Sequence, residues 1–328
     1  MKGIYRIVIL AALLFTAMDK DLPFSYASEL QAAEMPILQF PVMSDIHICG
    51  QPRIIEKVPI CKGNTDENFL KALEDYQQIA PSYQAIAIVG DLTNHGLQDQ
   101  YNRFMDLLFT GSNPGAERIL AIGNHEFMEM KLWNRPLLTN EMLLMRFLTK
   151  TGKGKIYEDK WILGYHFITL GSEGMLQGNH NAPYISDAQY RWLELKLSLN
   201  AAPNKPIFVF LHHPLKDTVY GTERKHDYFD GKRLKNILRK YPQAILFSGH
   251  SHYSLEHPKT VYQKGFTMVN TSSVSYVTTH KGRKRGLSQG LLVEVYKDRV
   301  EIKAREFSNK SWIKTFTIPN EISLPHQK

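Results

Sequence analysis

The sequence predicts an α/β fold, a sandwich of β-sheets flanked by helices. Two patterns carry that expectation. Apolar runs bounded by turn residues alternate with helix-period stretches over most of the chain, as they do when strands and helices are layered. Beyond residue 260 strand follows strand, which favours antiparallel pairing there over a purely parallel sheet. A length of 328 residues with 43% hydrophobic and 22% charged residues supports a sizeable core. Neither a Pro/Gly/Ser-rich linker nor an internal repeat divides it, so a single domain is expected.

The first strand is read over residues 36–43, where an apolar run ends at the polar pair Ser44-Asp45. Residues 67–80 and 98–109 read as helices from their helix-period stretches. The apolar runs at 84–89 and 118–122 read as buried strands and complete a β-α-β-α-β series. Residues 161–170 read as one strand, 187–200 as a helix, 206–211 as a strand, 232–240 as a helix and 244–247 as a strand. The closing strands fall at 267–270, 291–296, 300–305 and 312–318. Segments 50–65, 127–155 and 215–231 read as the loops that surround the strand ends and set specificity.

The N-terminus departs from this pattern. Lys2 and Arg6 precede an apolar run over 7–18, and the small residues Ser25 and Ala27 follow, which matches a secretory signal over 1–27 and a domain over 28–328. The run is short for a spanning helix, which takes about 20 residues, and an uncleaved anchor is the alternative. Both readings export the protein, as a secreted chain or one associated with the cell envelope or membrane. A net charge of +8 on a chain of this size does not imply nucleic-acid binding. Cys49 and Cys61 are too few for a disulfide scaffold but can close one bridge. The absence of GxxxxGK(S/T), GxSxG and GxGxxG excludes the usual nucleotide-triphosphatase, serine-hydrolase and dinucleotide-binding classes.

Polar residues cluster where strands end. Asp45 and His47 follow the first strand, Asp91 the second, and Asn124 and His125 the third; His212 ends a later one, and His250 and His252 follow the strand at 244–247. Ligands bind at strand carboxyl ends in open α/β sheets, so these segments can converge. Two carboxylates, an amide oxygen and several imidazoles, with no thiolate, suit a pair of cations such as Mn, Fe or Zn. The spacing of Asp45 with His47, and of His250 with His252, lets each pair point the same way along an extended turn.

The blocks read Asp45-Ile46-His47, Gly90-Asp91-Leu92-Thr93-Asn94, Gly123-Asn124-His125-Glu126, His212 before His213-Pro214, and Gly249-His250-Ser251-His252. This ordered set resembles the calcineurin-like metallophosphoesterase family, whose pattern is DxH, GDxx(D/N), GNH(D/E), His and GHxH. The resemblance implies a four-layer α/β/β/α sandwich of two mixed sheets flanked by helices. It implies one divalent metal ion held by Asp45, His47 and His252, a second held by Asn124, His212 and His250, and Asp91 bridging them. The metals are expected to be Mn, Fe or Zn, with Mg taken less readily. It further implies hydrolysis of a small phosphorylated substrate, a phosphomonoester or phosphodiester, by a metal-bridging hydroxide. His125 resembles the family histidine that contacts the phosphate and protonates the leaving oxygen.

The alternative is a catalytically silent, metal-dependent binding protein of the cell envelope. His213 is the alternate for His212, Asn94 and Glu126 take supporting positions, and His95, His180 and His226 read as surface or loop residues. The basic run 281–285 is either a solvated turn between strands or an electrostatic collar that attracts phosphorylated substrate or anionic envelope polymer. Without interleaved aromatics it offers no specific nucleic-acid site.

Overall fold

A computed structural model describes residues 34–50, 54–55, 58–59, 63–132, 137–176, 179–223, 229 and 231–320. The segment read as an export signal lies outside these. Every named element belongs to the unit Pro36–Lys328.

Among the described residues, twelve strands build two six-stranded mixed sheets. They are β1 Leu38–Met43, β2 Ala85–Val89, β3 Glu117–Ala121, β4 Glu158–Ile162, β5 Tyr165–Thr169, β6 Ile207–Phe210, β7 Ala244–Ser248, β8 Val261–Gln263, β9 Thr267–Asn270, β10 Gln289–Val295, β11 Arg299–Glu306 and β12 Ser311–Pro319. One sheet runs β12-β11-β10-β1-β2-β3, parallel from β1 to β3 and antiparallel from β1 outward to β12. The other runs β8-β9-β7-β6-β5-β4, parallel through its centre with an antiparallel strand at each edge.

Alternation along the strands assembles the layers. On β2, Ala85, Ala87 and Val89 point between the sheets while Ile86 and Ile88 point outward. Phe40, Phe167, Phe208 and Phe247 fill the space between the sheets, with the Phe40 ring 5.0 Å from Phe167 and 4.9 Å from Phe208, both edge-on. The helices α1 Thr65–Ile79, α2 Gln98–Gly111 and α3 Asn140–Thr151 cover the outer face of the first sheet, through Phe69, Phe104 and Phe147 among others. Two further helices, α4 Asp187–Ser198 and α5 Lys232–Leu238, cover the second sheet with Leu193, Leu197, Leu234 and Leu238. The result is the expected α/β/β/α sandwich.

Three local differences from the sequence reading have physical causes. Residues 161–170 are not one strand: Leu163 and Gly164 take positive φ of 48° and 76°, and this two-residue turn folds β4 back on β5. Within 127–155, read as a loop, lie the short helix Met128–Leu132 and α3. Thr139 caps α3 by accepting from Met142 N, and Gly152 ends it in the left-handed region. β9 is antiparallel to β8 but parallel to β7, so the antiparallel expectation beyond residue 260 is only partly met. Of the cysteines, Cys49 is disulfide-bonded and Cys61 lies outside the described residues.

Candidate metal centre

The carboxyl ends of β1, β2 and β3 in one sheet and of β6 and β7 in the other meet, because both sheets contribute parallel central strands. Backbone hydrogen bonds lock the loops together. Asp45 N donates to Gly90 O at 3.1 Å, His47 N to Asp91 O at 3.0 Å, and Gly249 N to His212 O at 3.0 Å.

All seven residues expected as ligands arrive at this junction. On one side His252 Nε2 lies 2.9 Å from Asp45 Oδ1 and 3.3 Å from His47 Nε2. On the other, Asn124 Oδ1 lies 3.2 Å from His212 Nε2 and 2.9 Å from His250 Nδ1. Asp91 Oδ2 stands between the two groups, 3.6 Å from His47 Nε2 and 3.2 Å from His212 Nε2. Ring tautomers are fixed from behind. His252 Nδ1 donates to Tyr276 O at 3.2 Å and His212 Nδ1 to Val89 O at 2.8 Å, so both Nε2 atoms turn inward.

The donor set fits two divalent cations. Asp45 Oδ1 is buried without a hydrogen bond, despite the close approach of His252, and the facing Nε2 atoms of His47 and His252 cannot both donate to each other. Such an arrangement of oxygen and imidazole donors is costly without a cation and satisfied by one. Electrostatics agree: burial pushes the Asp45 carboxyl up, but His252 and His212 outweigh it and hold it well below the usual range. Burial likewise opposes the Asp91 anion, which His212 stabilises; burial also opposes the His212 cation, but Asp91 and Asp45 outweigh it and raise its pKa to about 10. Cation binding beside His212 therefore displaces a proton and weakens in acid.

Backbone conformation was not anticipated. Asp45, His47, Asp91, His250 and His252 have φ of 53°, 51°, 52°, 66° and 57°, in the left-handed region that non-glycine residues avoid. The i, i+2 pairs therefore converge through tight left-handed turns rather than along an extended one. Such strain persists only where surrounding contacts hold it, and it concentrates at functional sites. Two glycines leave room for the turns: a Cβ on Gly249 would lie 2.3 Å from Asp45 Oδ2, and one on Gly123 would lie 2.3 Å from Asp91 Oδ1.

Residues 38–254 match the calcineurin-like phosphoesterase family. The chain belongs to that family. A 3′,5′-cyclic adenosine monophosphate phosphodiesterase of Haemophilus influenzae is 24% identical, with 70% of this chain and 76% of that one covered. A glycerophosphodiester phosphodiesterase of Enterobacter lignolyticus is 25% identical over 64% of this chain and 69% of its own. Among solved structures, a dimetal phosphatase from Danio rerio superposes with a TM-score of 0.60 at 16% identity, covering 87% of this chain and 99% of its own. The fold is thus that of the family, and the chain is a metal-dependent phosphoester hydrolase of the calcineurin-like type whose His/Asp clusters could hold two metal ions.

Around the centre, a cavity of about 1150 Å³ has His47, Asn94, His95, His125 and Tyr276 in its walls. His125 Nδ1 donates to Asn94 O at 2.8 Å, which leaves Nε2 as the atom available for chemistry, and its N–H donates to Asp91 Oδ1 at 2.8 Å. Burial, reinforced by His47, lowers its pKa to about 3 even though Asp91 opposes this, so the ring is neutral at pH 7 in the free chain.

Glu126 holds the site from beneath. Its Oε2 accepts from Asp91 N at 3.1 Å and Gly123 N at 2.8 Å, and its Oε1 from Thr93 N at 3.0 Å and Thr93 Oγ1 at 3.1 Å. A Glu126→Gln substitution turns an amide N–H2 toward donors. It should destabilise the fold by about 2 kcal/mol, the cost of unsatisfied buried donors, read as a lower urea midpoint.

His95 lies in a loop, as read, but not at the surface. It is buried and lines the cavity, with its N–H donating to Gln100 Oε1 at 2.9 Å. Its place directly after the Gly90–Asn94 block was the available signal. His213 is fully enclosed beside His250, their ring centroids 4.6 Å apart, and neither of its nitrogens has a hydrogen-bond partner. His180 falls in the short strand Asn179–Pro183, and His226 lies outside the described residues.

Proposed function

We propose that this chain is an exported, dinuclear metal-dependent phosphohydrolase that cleaves phosphodiesters of small molecules. One observation carries the reading: Asp91 Oδ2 lies between two donor groups, Asp45-His47-His252 and Asn124-His212-His250. Two divalent cations bound there, Mn, Fe or Zn by the nature of the donors, supply Lewis acidity toward a phosphoryl oxygen and an acidified water.

The remaining chemistry belongs to the chain. Asp91 and Asp45 keep the centre anionic so that it attracts cations and holds them close together. His125 directs Nε2 into the cavity, where it donates a proton to the departing oxygen. That role needs an anionic phosphate beside Nε2 to raise its affinity for a proton. Preference for diesters is supported by the two curated relatives, both phosphodiesterases. Export is supported by the basic, apolar and small-residue order of the first 27 residues.

The test is hydrolysis of bis-p-nitrophenyl phosphate against p-nitrophenyl phosphate by protein stripped of metal and resupplied with Mn, Zn or Mg. Restored hydrolysis with a higher kcat/KM for the diester is expected. Silence on both esters with metal bound would favour a metal-dependent binding protein of the cell envelope.

A further inference from the structure

The basic run 281–285 belongs to a small antiparallel hairpin, Val277–Thr279 paired with Gly282–Lys284. The hairpin is fastened to the metal loop, since Thr278 N donates to His252 O at 2.7 Å and Ser254 N donates to Thr278 O at 3.0 Å. Tyr276 opens it. The Tyr276 ring centroid is 4.2 Å from that of His252, and the guanidinium of Arg283 lies over the same ring, 3.9 Å from its centroid.

This places a guanidinium one aromatic ring away from a metal-site histidine. Arg283 lines the same cavity as His47 and His125, as does Arg285 two residues on, whereas Gly282 and Lys284 do not, in keeping with alternation along a strand; of the two arginines, Arg283 is the one whose guanidinium lies over Tyr276 beside His252. Among the described residues Arg283 has no carboxylate partner. The contact with the ring occupies one side of the guanidinium and leaves N–H groups for a ligand. Those groups match a phosphate or carboxylate with two parallel hydrogen bonds. The cavity, at about 1150 Å³, is far larger than a phosphate and slightly exceeds the roughly 300–1,000 Å³ usual for ligand sites.

We propose that Arg283, seated on Tyr276, selects phosphoester substrates that carry a second anionic group, a phosphate or carboxylate, apart from the phosphate held beside His47 and His125. The proposal rests on the phosphoesterase reading above and names the substrate class for that site.

Non-hydrolysable phosphonates that differ only in a terminal carboxylate test it by calorimetry on the Mn-loaded full chain. The pairs are 4-phosphonobutyrate against butylphosphonate and 6-phosphonohexanoate against hexylphosphonate. The wild-type chain should bind the carboxylated member about tenfold more tightly for at least one spacing, a gain typical of one charge-assisted bidentate contact. Arg283→Ala and Arg283→Gln should reduce that ratio to below about twofold while Arg283→Lys keeps part of it, and salt should shrink the wild-type ratio. Equal affinities at both spacings, or a preference that survives Arg283→Ala, would overturn the proposal. Hydrolysis of bis-p-nitrophenyl phosphate without a carboxylate preference removes this inference alone. A preference without hydrolysis of any ester removes the phosphoesterase reading and leaves a two-anion binding site.

Discussion

Replacing Asp91 by Asn is expected to lower kcat/KM for bis-p-nitrophenyl phosphate by about a thousandfold or more, equivalent to about 4 kcal/mol of transition-state stabilisation. The substitution keeps the shape of the side chain and its position after β2, so the loss reports charge rather than packing. Asp91 Oδ2 lies within 3.6 Å of His47 Nε2 and 3.2 Å of His212 Nε2, and no other carboxylate reaches both donor groups so evenly among the described residues. Removing that anion weakens cation binding on both sides at once. It also removes the charge that keeps His212 protonated, so the His212 pKa should fall, which can be followed by NMR titration of the metal-free protein. A variant that kept wild-type turnover would show that the bridging position is not needed.

His125→Ala should behave differently, keeping metal but losing turnover by about a hundredfold to ten-thousandfold, the usual contribution of a positioned proton donor. Its ring lies edge-on to His47 at 4.3 Å, and its side chain is anchored through Asn94 O rather than through a ligand oxygen. The loss should therefore be steeper for esters of alkyl alcohols, whose departing oxygen needs a proton, than for nitrophenyl esters, which depart as stable anions. Comparing kcat for a methyl ester and a nitrophenyl ester of the same phosphate in both proteins checks this. An equal loss on both esters would assign His125 to phosphate binding alone.

Both predictions start from side chains that the sequence could locate. Strand ends are marked by the switch from apolar runs to Asp, Asn and His, so Asp45, Asp91, Asn124, His212 and His250 can be placed at a common edge without coordinates. The blocks also fix which side chains are near one another along the chain. What they cannot show is backbone handedness: Asp and His enter the left-handed region more readily than most side chains, but most Asp and His residues lie elsewhere, so residue type alone does not mark Asp45, His47, Asp91, His250 and His252 as positive-φ positions. The hairpin at Leu163-Gly164 was hidden for a related reason: a leucine in a left-handed turn gives no local signal.

Helix α3 was legible in part, since Thr139 and Gly152 are ordinary start and stop residues, but its apolar face is mixed with the exposed Met142 and Met145. The contacts of Glu126 with Asp91, Thr93 and Gly123, and of Arg283 with Tyr276 beside His252, depend on tertiary arrangement. Charge runs do not reveal which cation turns inward. For 281–285 alternation divides the cations: Arg283 and Arg285 line the cavity, whereas Lys281 and Lys284 do not.

The central claim is that one carboxylate joins two cation sites, and metal stoichiometry measured alongside activity tests it most directly. Chain stripped of metal and titrated with Mn or Zn should bind two equivalents, with hydrolysis of bis-p-nitrophenyl phosphate returning as the second site fills, and Asp91→Asn should lose that second equivalent. Full activity at one bound equivalent, or two equivalents bound with undiminished turnover in Asp91→Asn, would contradict it.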